Sequence, residues 1–178
     1  MQKSLVDHFA ALPMRRDREA FLLELIRGLT GTLEDVIGCE DSEGFISVVG
    51  ARIGEAMSRD YAEALETTEL STEQLAAVLV DLKRRIEGGF SIESISADEI
   101  VLVNSRCPFG DYVKGRESLC MMTSNVFGRI SANNSGYAYV RIDEAIARGD
   151  GRCRVVVSLK PGMARQSASG REYFGRDK

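Results

Sequence analysis

From Asp17 onward, apolar residues recur near a 3.6-residue period at Phe21, Leu22, Leu25, Ile26, Leu29, Leu33, Val36 and Ile37, which predicts an amphipathic helix. Gly28 and Gly31 are expected to weaken this helix or break it in two. Its apolar face is wider than one small core needs, so part of it is expected to meet a second subunit. A second helix is predicted from Ser42 to about Leu65, capped by Asp41 or Ser42. Its stripe is Phe45, Ile46, Val49, Ile53, Met57 and Tyr61. Gly50 and Gly54 share one face and predict close helix packing, or a ligand against the backbone; packing is the plainer reading. The third helix opens on a capping box, Ser71 with Gln74, and continues through Leu75, Val78, Leu79, Leu82 and Ile86. Lys83-Arg84-Arg85 complements the negative end of its dipole and reads as a solvated terminus rather than a nucleic-acid patch. Gly88 and Gly89 stop it.

Beyond Gly89 the period changes to two. Residues 90–96 and 99–105 read as consecutive strands, and Cys107-Pro108-Phe109-Gly110 as a tight turn. Residues 118–132 fit a helix ended by Asn133-Asn134-Ser135-Gly136. Residues 137–146 and 152–159 form a last hairpin, turning at Arg148-Gly149-Asp150-Gly151. The expected order is αααββαββ. This is an α+β fold with the N-terminal helices packed on an antiparallel sheet. Residues 1–16 and 161–178 lack periodicity and are expected to be a flexible N-terminal segment and a flexible tail. That leaves residues 17–160 as a single domain.

Composition narrows the function classes. The chain has 178 residues, 44% hydrophobic and 28% charged, as expected of one globular domain. Its formal charge of -4 gives no general attraction to phosphate backbones, so direct nucleic-acid binding is not expected. No apolar run is long enough to span a bilayer, so no membrane partner is expected. The first residues lack signal-peptide features, so a cytoplasmic placement is expected. In a reducing compartment the four cysteines do not suggest a disulfide framework.

Three of them are placed for chemistry. Cys107 ends a strand, Cys120 starts a helix and Cys153 opens the last strand, so a sheet and its helix can bring them together. A helix N-terminus favours the thiolate at Cys120, and Glu117 stands three residues before it. Three thiolates and one oxygen would make a tetrahedral zinc site; three thiolates also suit an iron–sulfur cluster. The alternative stands beside this: cysteine is a small, often buried hydrophobe, Cys153 alternates with Val155 and Val157, and Cys120 lies among Leu119, Met121 and Met122. Cys39 is expected to be a packing residue. Phe109, Met121, Met122 and Phe127 are candidates to line an apolar pocket near the cysteines, or an ordinary core. Tyr137 and Tyr139 share a strand face and either line that pocket or pair across strands.

The single histidine, His8, lies in the unpatterned N-terminal segment, and Asp143 and Glu144 alternate on a strand, so no acid–base pair is apparent. Phosphate-binding and dinucleotide fingerprints are absent. An enzyme is not expected.

The motifs CPFG, SLC, VFGRISANNSGYAYV and IARGDGRCRVVV, with IGEAMSRDY and VLVDLKRRIEGGF upstream, together resemble the methanogen output domain over roughly residues 17–160. That family is related to four-vinyl-reductase domains, the hydrocarbon-binding sensor modules of bacterial and archaeal regulators. The resemblance implies a regulatory domain with an α/β fold, a pocket for a small apolar molecule, and cysteine-bound zinc beside that pocket. It places the zinc ligands at Cys107, Cys120 and Cys153. The fourth ligand departs from the phenol-sensing relatives, which carry a further cysteine before the last one; here Glu117, Asp143, Glu144 or water would complete the set. The resulting expectation is a signalling domain that binds a small apolar ligand and dimerises through its N-terminal helices to reach a signalling partner protein. A thiol or iron–sulfur redox switch is the first alternative. A pure interaction module with buried, inert cysteines is the second.

Overall fold

The computed structural model of the protein describes residues 2–13, 17–67, 69–162 and 170–175. Among the described residues, five α-helices and five strands follow in the order α1 (Gln2–Ala10), α2 (Arg18–Ile37), α3 (Cys39–Leu65), α4 (Thr72–Arg85), β1 (Phe90–Ile95), β2 (Glu99–Asn104), α5 (Cys120–Ser135), β3 (Tyr137–Glu144), β4 (Cys153–Ser158) and β5 (Arg171–Phe174). The strands form one antiparallel sheet in the spatial order β1-β2-β4-β3-β5. The α+β class with helices against an antiparallel sheet is as expected, but the order is richer by two elements. One is α1, a helix within residues 1–16. The other is β5, a strand within the expected tail that pairs with β3 from Tyr137↔Phe174 to Val140↔Arg171.

The expected helices form with shifted ends. α2 runs unbroken through Gly28 and Gly31. Gly31 has a packing reason: a Cβ there would stand 2.6 Å from the Arg116 guanidinium. α3 starts at Cys39, earlier than expected, because Gly38 adopts φ 84° and lets one helix follow directly on another. In α4 both halves of the Ser71–Gln74 capping box are made. α5 continues through Asn133-Asn134-Ser135 to Gly136, whose φ of 79° ends it.

Packing follows from the faces. α4 and α5 lie on one face of the sheet, α4 over β1 and β2 and α5 over β3 and β5, and α3 stacks on α5. Leu75, Leu79 and Leu82 of α4, Phe127 and Ile130 of α5, and Ile100, Leu102, Val140, Val155 and Val157 of the sheet make the core. Gly54 lets α3 approach α5: a Cβ there would lie 3.0 Å from the Val126 Cα. Tyr173 of β5 lies flat over Gly128 of α5 and shares a 2.8 Å hydrogen bond with Ser124. α2 is fastened to the segment between β2 and α5. Arg27 donates to the carbonyls of Tyr112 and Lys114, Ser118 donates to Glu34 at 2.5 Å, and Glu34 pairs with Arg116 at 3.3 Å. Among the described residues, no helix is long and apolar enough to cross a membrane.

Candidate functional site

Antiparallel pairing brings the start of β1, the end of β2, the start of β4 and the end of β3 to one end of the sheet. The last turn of α4 and the first turn of α5 meet them there. Cys153 faces Asn104 across the β2–β4 ladder. The Asn104 side chain holds this junction: its oxygen accepts the Cys153 N–H at 3.1 Å and its amide donates to the Arg106 carbonyl at 2.9 Å. Cys107 begins the expected tight turn, closed by the Gly110 N–H donating to the Cys107 carbonyl at 2.9 Å, with Gly110 at φ 53°. Cys120 is the first residue of α5, after a short 3-10 turn at Glu117–Leu119.

All three thiols line one small inner chamber of about 30 Å³, together with Phe90, Asn104, Phe109, Thr123, Ile142 and Val155. A water needs ~10–15 Å³ by the same measure, so the chamber suits a guest of only a few heavy atoms. Behind two of its lining residues, Thr123 and Phe90, lies a residue expected to face solvent. Lys83 is 4% exposed. Its ammonium donates to Thr123 Oγ1 at 2.8 Å and lies over the rings of Phe127 and Phe90, 5.2 and 5.7 Å from their centroids. Among the described residues this is its one hydrogen bond. Burial pulls the Lys83 pKa down to about 8, partly opposed by the Cys107, Cys153 and Cys120 thiols within reach of its charge. A signal was present: Lys83 follows Leu79 by four and Ala76 by seven, which puts it on the buried face, but the Lys-Arg-Arg run disguised it.

Cys120 and Ile142 also bound a larger outer cavity of about 370 Å³. Its apolar wall is Met121, Val140 and Ile142, and its charged rim is Glu43, Glu117, Arg148 and Arg171. Arg171 of β5 pairs with Glu43 of α3 at 2.9 Å, and Arg148 donates to the carbonyls of Ile142 and Asp143. The rim residues come from four separate elements, and none stood out in the sequence except Glu117.

The thiols are more protected than expected. Burial raises Cys107 and Cys153 and pushes Cys120 up to about 12, so desolvation outweighs the helix N-terminus at that position. The Cys153 sulfur instead accepts the Ile146 N–H at 3.5 Å. Glu117 lines the outer cavity and not the inner one. Asp143 pairs with Arg141 and Arg154, and Glu144 with Arg152, on the sheet surface. Among the described residues, no group of three or more His, Cys, Asp or Glu side chains is arranged to hold a metal ion. The three thiols of the expected ligand set thus line one chamber with Lys83 within reach of them, Glu117 shares the outer cavity with Cys120, and Asp143 and Glu144 lie on the sheet surface.

The expected pocket residues divide. Met121 lines the outer cavity and Phe109 the inner chamber. Phe127 is wholly buried in the core. Met122 packs against α3, where its sulfur would meet a Cβ at Gly50 at 3.3 Å. Ala138 and Val140 face α5, so Tyr137 and Tyr139 point to the opposite side of the sheet. There Tyr137 donates to Glu172 at 2.8 Å and Tyr139 packs against Gly170. Cys39 is exposed rather than packed, near Glu34, Glu43 and Glu117.

The family model described as methanogen output domain 1 matches residues 25–158, which spans β1 to β4, the cysteines and Lys83. The chain belongs to this family. No curated protein is similar enough to the chain to count as a match. Among solved structures, this methanogen output domain is similar to the phenol-responsive sensory domain of the transcription activator PoxR with phenol. The TM-score is 0.62 at 14% identity, covering 76% of this chain and 73% of that one. It is also similar to a trafficking protein particle complex subunit 3 from Naegleria fowleri covalently bound to palmitic acid. There the TM-score is 0.51 at 13% identity, covering 79% of this chain and 96% of that one. These likenesses are of fold.

Proposed function

We propose that this methanogen output domain is a non-catalytic sensory module that takes a small, largely apolar ligand into the outer cavity. The observation that carries the reading is the cavity itself, with apolar Met121, Val140 and Ile142 beside charged Glu43, Glu117, Arg148 and Arg171, and with Cys120 and Ile142 shared with the inner chamber. A ligand with an apolar body and one polar group would bury the body on the apolar residues and leave the group to the charged ones. Two sensory or lipid-holding proteins with this fold bind apolar molecules, which supports the same use here. Kinship with four-vinyl-reductase sensor domains belongs to the same proposal. The ligand's signal would leave through α2, because Glu34 and Arg27 grip the segment that leads into Cys120.

Phenol and cyclohexanol are suitable probes. A saturable rise in Tm with either, lost in Ile142→Trp, is the expected result. If neither compound shifts Tm in the wild-type protein nor binds by calorimetry, the cavity is not a ligand site of this kind.

A second reading is favoured by a separate observation. Phe21, Leu22, Leu25, Ile26 and Leu29 of α2 and Phe45, Val48 and Val49 of α3 are large apolar side chains left exposed. An interaction module with inert cysteines would cover this face with a second copy of the chain. Sedimentation of a dimer that Leu25→Glu turns into a monomer supports it; a wild-type monomer at high concentration removes it.

A further inference from the structure

The outer cavity contains an acceptor that its own lining does not satisfy. Its charged and hydroxyl side chains are Glu43, Glu117, Ser124, Arg148 and Arg171. Four of the five are committed to protein partners. Glu43 pairs with Arg171 at 2.9 Å, and the other terminal nitrogen of Arg171 donates to Ser47 at 3.4 Å. Arg148 donates to the carbonyls of Ile142 and Asp143 at 3.1 and 3.0 Å and stands 3.8 Å from the Asp150 carboxylate. Ser124 is hydrogen-bonded to Tyr173. Glu117 is the exception: among the described residues its carboxylate has neither a hydrogen bond nor an ion pair. Its chain neighbour Arg116 is taken by Glu34 and by the Gly115 carbonyl. The two carbonyls that hold Arg148 likewise keep that guanidinium from turning to Glu117.

We infer that the outer cavity selects an amphipathic amine, with its ammonium group on Glu117 and its apolar body against Met121, Val140 and Ile142. This rests on reading the cavity as a ligand site and names the chemistry of the ligand. A carboxylate without an internal partner is the complement of a group that carries N–H donors and positive charge. An anionic guest would need Arg148 or Arg171, and each would have to share or release contacts it already makes. Glu117 has only water to release. The field nearby favours a cation as well: after partial desolvation, Glu34, Glu43 and Glu117 hold the Cys39 thiol above its ordinary value. At about 370 Å³ the cavity is within the range of small-molecule sites and suits one ring with a short arm. The position of Glu117 also gives the amine a route to the surface helices. It opens the 3-10 turn that leads into α5, and Ser118 beside it is held by Glu34 of α2. A charge bound at Glu117 therefore acts on the turn that α2 grips.

The test compares phenethylamine, phenethyl alcohol and hydrocinnamate on the full chain at pH 7 by calorimetry. The three share one apolar body and differ in a positive, neutral or negative head. The amine should bind about tenfold more tightly than hydrocinnamate, the low end for a charge-assisted pair because Glu117 is exposed. Glu117→Gln keeps the shape and should bring the amine down to the affinity of the alcohol. Added salt should weaken the amine in the wild-type protein and leave the alcohol unmoved. Tightest binding by hydrocinnamate overturns the inference and gives the site to its arginines. An amine preference that survives Glu117→Gln overturns it too. The wild-type series decides between heads even where the variant fails to fold. Phenol binding without any preference for the amine removes the inference and leaves the cavity reading intact; a cavity that takes none of these probes removes both.

Discussion

At Lys83 the cost of burying an ammonium should be readable in the pH dependence of stability. Its folded pKa of about 8 lies below the ordinary value of 10.5. Between those values the unfolded chain holds the extra proton, so this group makes stability rise with pH. The thiols act in the opposite sense. Cys107, Cys120 and Cys153 are held above their ordinary value of 9.0. Above that pH the unfolded chain loses their protons first, and stability falls. Three thiols outweigh one amine, so urea denaturation should find the most stable fold between about pH 8 and 9. Lys83→Met should stabilise the protein at pH 7 by about 2 kcal/mol: roughly 3 from the relieved desolvation, less about 1 for the lost Thr123 hydrogen bond. The variant should also show only the fall at high pH. Unchanged stability in Lys83→Met would mean that water reaches the ammonium. Asn104 offers a second residue-scale measurement. Asn104→Ala leaves the Cys153 N–H without its partner, while the Arg106 carbonyl keeps only the Gly89 N–H at 3.2 Å. It should cost about 1–3 kcal/mol in denaturant titration.

Among the elements, α3 and α5 meet at two glycines, and the geometry sets the size of the effect. A Cβ at Gly54 would stand 3.0 Å from the backbone of Val126, which cannot swing aside. Gly54→Val should therefore force the helices apart and cost about 1–3 kcal/mol, where Gly44→Val, with open space around it, should not. Equal effects at both positions, compared by thermal denaturation, would contradict this packing. Local signals made α4, β1 and β2 legible in the sequence: a capping box, a clean period and a change of period at Gly89. β5 was not legible, because its four residues are selected by partners far along the chain. Tyr173 depends on the bare Cα of Gly128, and Arg171 on Glu43. The site was half legible for the same reason. That three cysteines lie at element ends can be read from spacing, and the sheet does bring them to one chamber. Which charges join them cannot, since Lys83 arrives from α4 and the outer rim from α3, β5 and two turns.

For the whole molecule, the connection between cavity and surface helices is the feature to test. α2 is strapped to residues 112–118 through Arg27, Gly31 and Glu34, and the same segment ends at Cys120. Glu34→Ala removes the partners of Ser118 and Arg116 together. It should raise hydrogen exchange in α2 and in residues 112–120 while leaving β2–β4 protected. Exchange that rises uniformly would mean that the strap carries global stability rather than a local link. The order β1-β2-β4-β3-β5 has one more consequence, at the rim of the sheet. β3 is shielded on one side by β4 and on the other only by the four residues of β5. Should β5 detach, the N–H and C=O groups of Tyr137–Val140 become a template for any passing strand, flanked by side chains that are buried in the intact fold. The short terminal strand thus doubles as a guard against self-templated aggregation, and its loss would be felt first as poor solubility rather than as a change at the cysteines.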